Sequence, residues 1–215
     1  MHCTPPRKQA AILVTAAVLA AGPLAAPARA QGAGQPAAAA PDVQFVSGMI
    51  LHHAQAVLMA GWAPTHGASP AVRELCERIA ISQRDEMATM ERWLRAHDLA
   101  LPDTSPSASL APSSSMPGMA MGPGASGLMP GMLTPPQLAQ LDSARGPAFD
   151  RAFLTFMIQH HRGALTMVAD YENAPSAGED PWVFQFASDV NGDQSAEIDR
   201  MSRMLAAMNP VSRSQ

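Results

Sequence analysis

As a pattern of apolar and polar positions, the chain repeats itself. Residues 45–59, FVSGMILHHAQAVLM, align with residues 153–167, FLTFMIQHHRGALTM, at a fixed offset. The alignment pairs Phe45 with Phe153, Met49 with Met157, Ile50 with Ile158, His52 with His160, His53 with His161, Ala56 with Ala164 and Met59 with Met167. At about 100° per residue, Phe45, Met49, His52, His53, Ala56 and Met59 fall within an arc of roughly 120°, the width of a core-facing helical stripe. A second stripe follows each first one. Gln83-x-x-Glu86-Met87-x-x-Met90-x-x-Trp93-Leu94 is answered by Gln194-x-x-Glu197-Ile198-x-x-Met201-x-x-Met204-Leu205. The pattern is therefore a duplicated two-helix unit.

Start and stop signals place the elements. A first helix covers about 42–60 and ends at Gly61, and Ser69-Pro70 opens a second that runs to about 99. Thr134-Pro135 opens a short piece to about 144, and Gly146-Pro147 precedes a long helix over about 148–172. Asp180-Pro181 then caps a last one, which reaches about 208. No segment alternates as a strand does. The expected class is all-α: a four-helix bundle domain over 42–208, its halves 42–100 and 134–208 joined by a Met/Pro/Gly-rich linker over 101–133.

The N-terminus changes the picture by adding a compartment. Arg7 and Lys8, an apolar run over 10–21 and Ala28-Arg29-Ala30 read as a secretory signal over 1–30, followed by a linker over 31–41. That run is too short to span a bilayer and nothing later reaches 18 consecutive apolar residues, so no transmembrane segment is expected. Cys3 leaves with the signal, and Cys76 then stands alone as a small buried hydrophobe or a thiolate ligand. Of 14 basic residues, Arg7, Lys8 and Arg29 leave as well, so 11 face 18 acidic ones for a net −7. That balance argues against a nucleic-acid partner.

The chemistry lies in polar groups on apolar stripes. A buried His or Glu costs several kcal/mol unless it is paired or bound to a metal. His52, His53, His160 and His161 alternate with Met49, Met59, Met157 and Met167, and imidazole beside thioether selects Cu(I), with Ag(I) similar and Cu(II) leaning on the imidazoles. Glu86 and Glu197 read as metal ligands or, the favoured reading, as acceptors that fix a histidine tautomer, and Met90 and Met201 on the same stripes are further candidate ligands. The structural alternative has His52 or His160 donating to Glu86 or Glu197. Carboxylates are too few for a di-iron site. In the linker, Met116, Met119, Met121, Met129 and Met132 form a flexible thioether set for Cu(I), or a sticky tether that docks on the bundle. His66 and His97 read as solvated or capping, and Trp93 and Trp182 as packing anchors. No Ser or Cys nucleophile stands beside a base, so no hydrolase is expected.

The run Met129-Pro-Gly-Met132-Leu-Thr134-Pro-Pro-Gln137, continuing through Phe149-Asp150-Arg151-x-Phe153 and Met157-Ile158-x-His160-His161-x-Gly163-Ala164-x-x-Met167, resembles the secreted bacterial domain-of-unknown-function family numbered 305. The helix with Gln194-x-x-Glu197-Ile198-x-x-Met201 fits its second signature. The departures are Trp93 answered by Met204, Met87 by Ile198 and Leu51 by Gln159. The resemblance covers about 42–208 and implies a ferritin-like bundle exported to the periplasm or outside, with some members similar to the CopM type of copper-binding resistance protein. The expected function is copper sequestration or handover without catalytic turnover, handover requiring a periplasmic metal-transfer partner. The rivals are a metal-dependent redox enzyme and a structural bundle whose His–Glu pairs are only internal hydrogen bonds.

Overall fold

Three of the four long helices begin where their sequence signals place the start. The computed structural model describes Met1, residues 40–105 and residues 128–208. The expected signal peptide, most of the linker that follows it, and Met116, Met119 and Met121 lie outside the described residues. The chain divides into Met1–Gln35 and Pro36–Gln215, and everything below concerns the second unit. It is all-helical: α1 (Ala40–Gly61), α2 (Pro70–Ala96), α3 (Pro135–Ser143), α4 (Pro147–Glu172) and α5 (Pro181–Ala207), with no strand among the described residues.

Proline stands at the first turn of α2, α3, α4 and α5, where its missing N–H is no loss. Ser69 caps α2 by accepting from the Val72 N–H, and Asp180 caps α5 by accepting from the Trp182 N–H. Thr134 and Gln137 cap α3 reciprocally. Gly146, at φ 55, turns the chain into α4, and its N–H donates to the His66 carbonyl at 2.8 Å. Two boundaries differ from expectation. Ala40 and Pro41 already belong to α1 rather than to the linker, and α2 stops at Ala96 because His97 caps it.

α1 packs along α2, α4 along α5, and the two hairpins meet through α1 and α4, with α3 against both. Among the described residues α1 has the length and mean hydropathy, 1.2, of a membrane span, yet its apolar residues Phe45, Val46, Met49 and Ile50 are buried in the protein core.

That core has two apolar bodies. One gathers Phe45, Met49 and Ile50 with Met90 and Leu94, Ala164 and Val168, and Val183 to Val190. The other gathers Ala56 and Met59 with Leu75 to Ala80, Phe149 to Ile158, and Met201. On each long helix the change from one body to the other falls at polar residues: His52 and His53 on α1, Gln83 and Glu86 on α2, His160 and His161 on α4, Gln194 and Glu197 on α5. The repeat thus gives the core a polar waist.

Candidate metal centre

All four waist histidines are fully buried. Adjacent positions on a helix diverge by about 100°, and here that separates two roles. His53 turns toward α2, where its Nε2 donates to Glu86 Oε2 at 2.6 Å, and His161 turns toward α5, where its Nε2 donates to Glu197 Oε2 at 2.6 Å. His52 and His160 turn toward each other, with ring centroids 3.8 Å apart. The carboxylate partners are therefore the second histidine of each pair, and not His52 or His160 as the sequence-based alternative had it.

Burial keeps His52 and His160 in the neutral form. Burial pulls His52 down to about 3, helped by the neighbouring His53, and burial with His52 alongside holds His160 well below the ordinary histidine value. Both are neutral at physiological pH. Burial pushes Glu86 up, but the hydrogen bond and charge of His53 outweigh it and hold the carboxyl below its usual range. An ionised carboxylate only accepts, so His53 carries a proton on Nε2 and Nδ1 is the nitrogen that the bond leaves unengaged; the matching bond places His161 in the same way. Nδ1 of His52, His53 and His161, and both ring nitrogens of His160, have no partner among the described residues.

His52 is fixed from its other side. Its Nε2 donates to the Pro130 carbonyl at 3.0 Å, and Gln55 grips Leu133 through both backbone groups, at 2.7 and 3.2 Å. This approach depends on glycine. A Cβ on Gly163 would overlap the Pro130 carbonyl, and Gly131 adopts φ +74 against the same turn of α4. Met129 and Met132 are consequently buried in the fold, which corrects the flexible-linker expectation for 128–133 and agrees with the alternative of a segment that docks on the bundle. Periodicity does not reveal such docking, because the segment has no period.

The methionines flank the waist on both sides. Met49 and Met90 lie in one apolar body with Met167 packed against it, and Met59, Met157 and Met201 lie in the other. Met129 and Met167 together line a groove of about 210 Å³ beside Phe45 and Tyr171. No three His, Cys, Asp or Glu side chains among the described residues are placed to hold a metal ion by themselves. The outer side of Glu86 opens on a cleft of about 450 Å³ that Asp85, Asp189 and Asp193 also line. Partial burial, and then Glu86 and Glu197, raise the Asp193 carboxyl.

Other readings fare differently. Cys76 is a buried hydrophobe whose thiol burial pushes up to about 12. His66 is buried rather than solvated and ties α3 to the α1–α2 link, with Nε2 donating to the Asp142 carbonyl at 2.8 Å. His97 caps α2, and Trp93 anchors it, donating to Asp180 at 2.8 Å and stacking on Trp182. Gln83 and Gln194 are waist residues that the reading of candidate ligands passed over. Their signal was the Gln-x-x-Glu spacing in both copies.

Fold and site together define a small all-helical protein with an internal repeat and a buried histidine waist. The chain belongs to the family described as Domain of unknown function (DUF305), whose sequence model matches residues 42–205. It is similar to a DUF305 fragment from Deinococcus radiodurans at 29% identity and TM-score 0.64, over 80% of this chain and 99% of that one. A presumed secreted DUF305 protein from Streptomyces coelicolor matches at 27% identity and TM-score 0.63, over 78% and 93%. CopM in its Cu(II)-bound form matches at 25% identity and TM-score 0.57, over 77% and 96%. No curated protein matches the chain.

Proposed function

We propose that this protein binds copper at its histidine waist and serves in sequestration or handover outside the cytoplasm, within a ferritin-like four-helix bundle and without catalytic turnover. The observation that carries the reading is His160: a fully buried imidazole, stacked at 3.8 Å on its repeat partner, with neither nitrogen partnered among the described residues. A neutral ring so placed costs free energy unless something binds it. The Glu86 and Glu197 bonds orient His53 and His161 so that Nδ1 is the free lone pair, the arrangement that metal-ligating histidines commonly have. Thioethers from both copies flank the four rings, and imidazole with thioether suits Cu(I). Copper bound to CopM supports the choice of metal.

His52, His53, His160 and His161 would hold the ion, with Met49, Met59, Met90, Met157, Met167 and Met201 as candidate thioether donors from the two apolar bodies. Met129 and Met132, docked beside it, and Met116, Met119 and Met121 would supply further thioethers for capture. Bound copper would contribute a one-electron couple; the chain's part is to hold His52 and His160 neutral by burial. The N-terminal signal pattern and the presumed secreted relative support export.

A structural reading has one observation in its favour: both His–Glu bonds are already made, at 2.6 Å. It leaves His160 unexplained. The deciding experiment is anaerobic titration of the protein lacking 1–30 with Cu(I) against a competing chelator, with elemental analysis of protein from the native compartment and an oxygen electrode. Tight Cu(I) binding without oxygen consumption is expected. Iron or manganese in the purified protein would favour the redox enzyme, and no metal at all the structural bundle.

A further inference from the structure

The two waist glutamines have no task in the description so far. Gln83 is 2% exposed and Gln194 3%, and none of their four carboxamide atoms has a partner among the described residues. Both point inward. Gln83 shares the innermost line of α2 with Ile79, Met90 and Leu94, all fully buried, and Gln194 shares that of α5 with Val190 and Met201. Each sits one turn before the glutamate that holds a waist histidine, so both belong to the same layer as the four rings. A buried carboxamide with nothing to bond costs the full desolvation of its groups, and leucine would serve a purely apolar core better. Two such residues at matched positions mark a shared polar task.

We propose that Gln83 and Gln194 are copper-site residues, supplying the hard oxygen donors that let the waist hold Cu(II) as well as Cu(I). The inference rests on the copper reading and deepens it. Imidazole and thioether suffice for Cu(I), which accepts few, soft ligands. Cu(II) prefers a tetragonal set of nitrogen and oxygen donors, and His, Cys, Asp and Glu alone do not assemble such a set among the described residues. A carboxamide oxygen is a neutral donor, so it adds a ligand without adding a buried charge. It acts by direct ligation or by hydrogen-bonding a copper-bound water.

The test uses the protein lacking 1–30 and two double variants, Gln83→Met/Gln194→Met, which keeps the volume, and Gln83→Leu/Gln194→Leu. Cu(I) is titrated anaerobically and Cu(II) aerobically against chelators, Cu(II) is followed by electron paramagnetic resonance, and the apoproteins are melted. Cu(II) affinity should fall at least about tenfold with altered resonance parameters, while Cu(I) affinity is kept. The apo melting temperature should hold or rise, because unpaired polar groups have gone from the core. A folded variant with wild-type Cu(II) affinity and spectrum overturns the proposal, as does equal loss of both ions. Wild-type protein that takes Cu(I) but not Cu(II) overturns this inference alone, and one that takes neither overturns the copper reading with it. If either double variant fails to fold, Gln83→Met alone is judged by the same readouts.

Discussion

His52 and His160, from opposite copies of the repeat, place their ring centroids 3.8 Å apart across the α1–α4 contact. The two halves therefore bring their histidines into one cluster, where a duplicated sequence on its own suggests two. Replacing His52 and His53 with Ala should remove well over half of the tight copper, and replacing His160 and His161 should do the same, because each pair loses its partner across the interface. Chelator competition with elemental analysis checks this. Retention of half the copper by either variant would show two independent half-sites.

The carboxylates make a second prediction. Glu86→Gln keeps an oxygen that can accept from His53 Nε2 but removes the charge that secures the proton there. Copper affinity should drop about 10- to 100-fold with helicity unchanged, and Glu197→Gln should match it, since both bonds measure 2.6 Å. Imidazole nitrogen chemical shifts would report the tautomer directly. An unaltered affinity in both variants would mean that the glutamates only pack.

Much of this was legible because duplication doubles every signal. The His-His and Gln-x-x-Glu runs recur at matched positions, and Pro after Ser69, Thr134 and Asp180 marks helix starts that the structure keeps. What periodicity cannot fix is rotation between helices. The 100° step separating His52 from His53 was plain, but which of them meets Glu86 depends on how α2 leans on α1. The docking of Pro130 on Gly163 was hidden for another reason: it is a long-range backbone approach in a segment without hydrophobic rhythm.

That approach carries a prediction whose sign the contact decides. Glycine to alanine inside a helix ordinarily gains about 1 kcal/mol. At Gly163 the added methyl would overlap the Pro130 carbonyl, so Gly163→Ala should instead cost about 1–3 kcal/mol by overpacking and release His52 Nε2 from its acceptor. Thermal melts of the apoprotein measure this. A raised melting temperature would show that 128–133 yields without loss.

Asp42 and Tyr171 give a pH dependence well away from the waist. The buried phenol donates to Asp42 Oδ1 at 2.7 Å and accepts from the Gly178 N–H at 3.1 Å, joining the start of α1 to the end of α4. Burial, and then the hydrogen bond to Asp42, raise the phenol above its ordinary value of 10.0. The folded state thus keeps a proton that the unfolded state gives up near pH 10. This contribution to stability is complete below about pH 10 and is lost as pH rises beyond it toward the folded value. Tyr171→Phe should cost about 1–3 kcal/mol at neutral pH, because a buried Asp42 oxygen loses its donor, and it should flatten the alkaline fall in stability. Denaturant midpoints for both proteins between pH 7 and pH 11 provide the comparison, and curves that run parallel through that range would remove Tyr171 as the source of the alkaline limb.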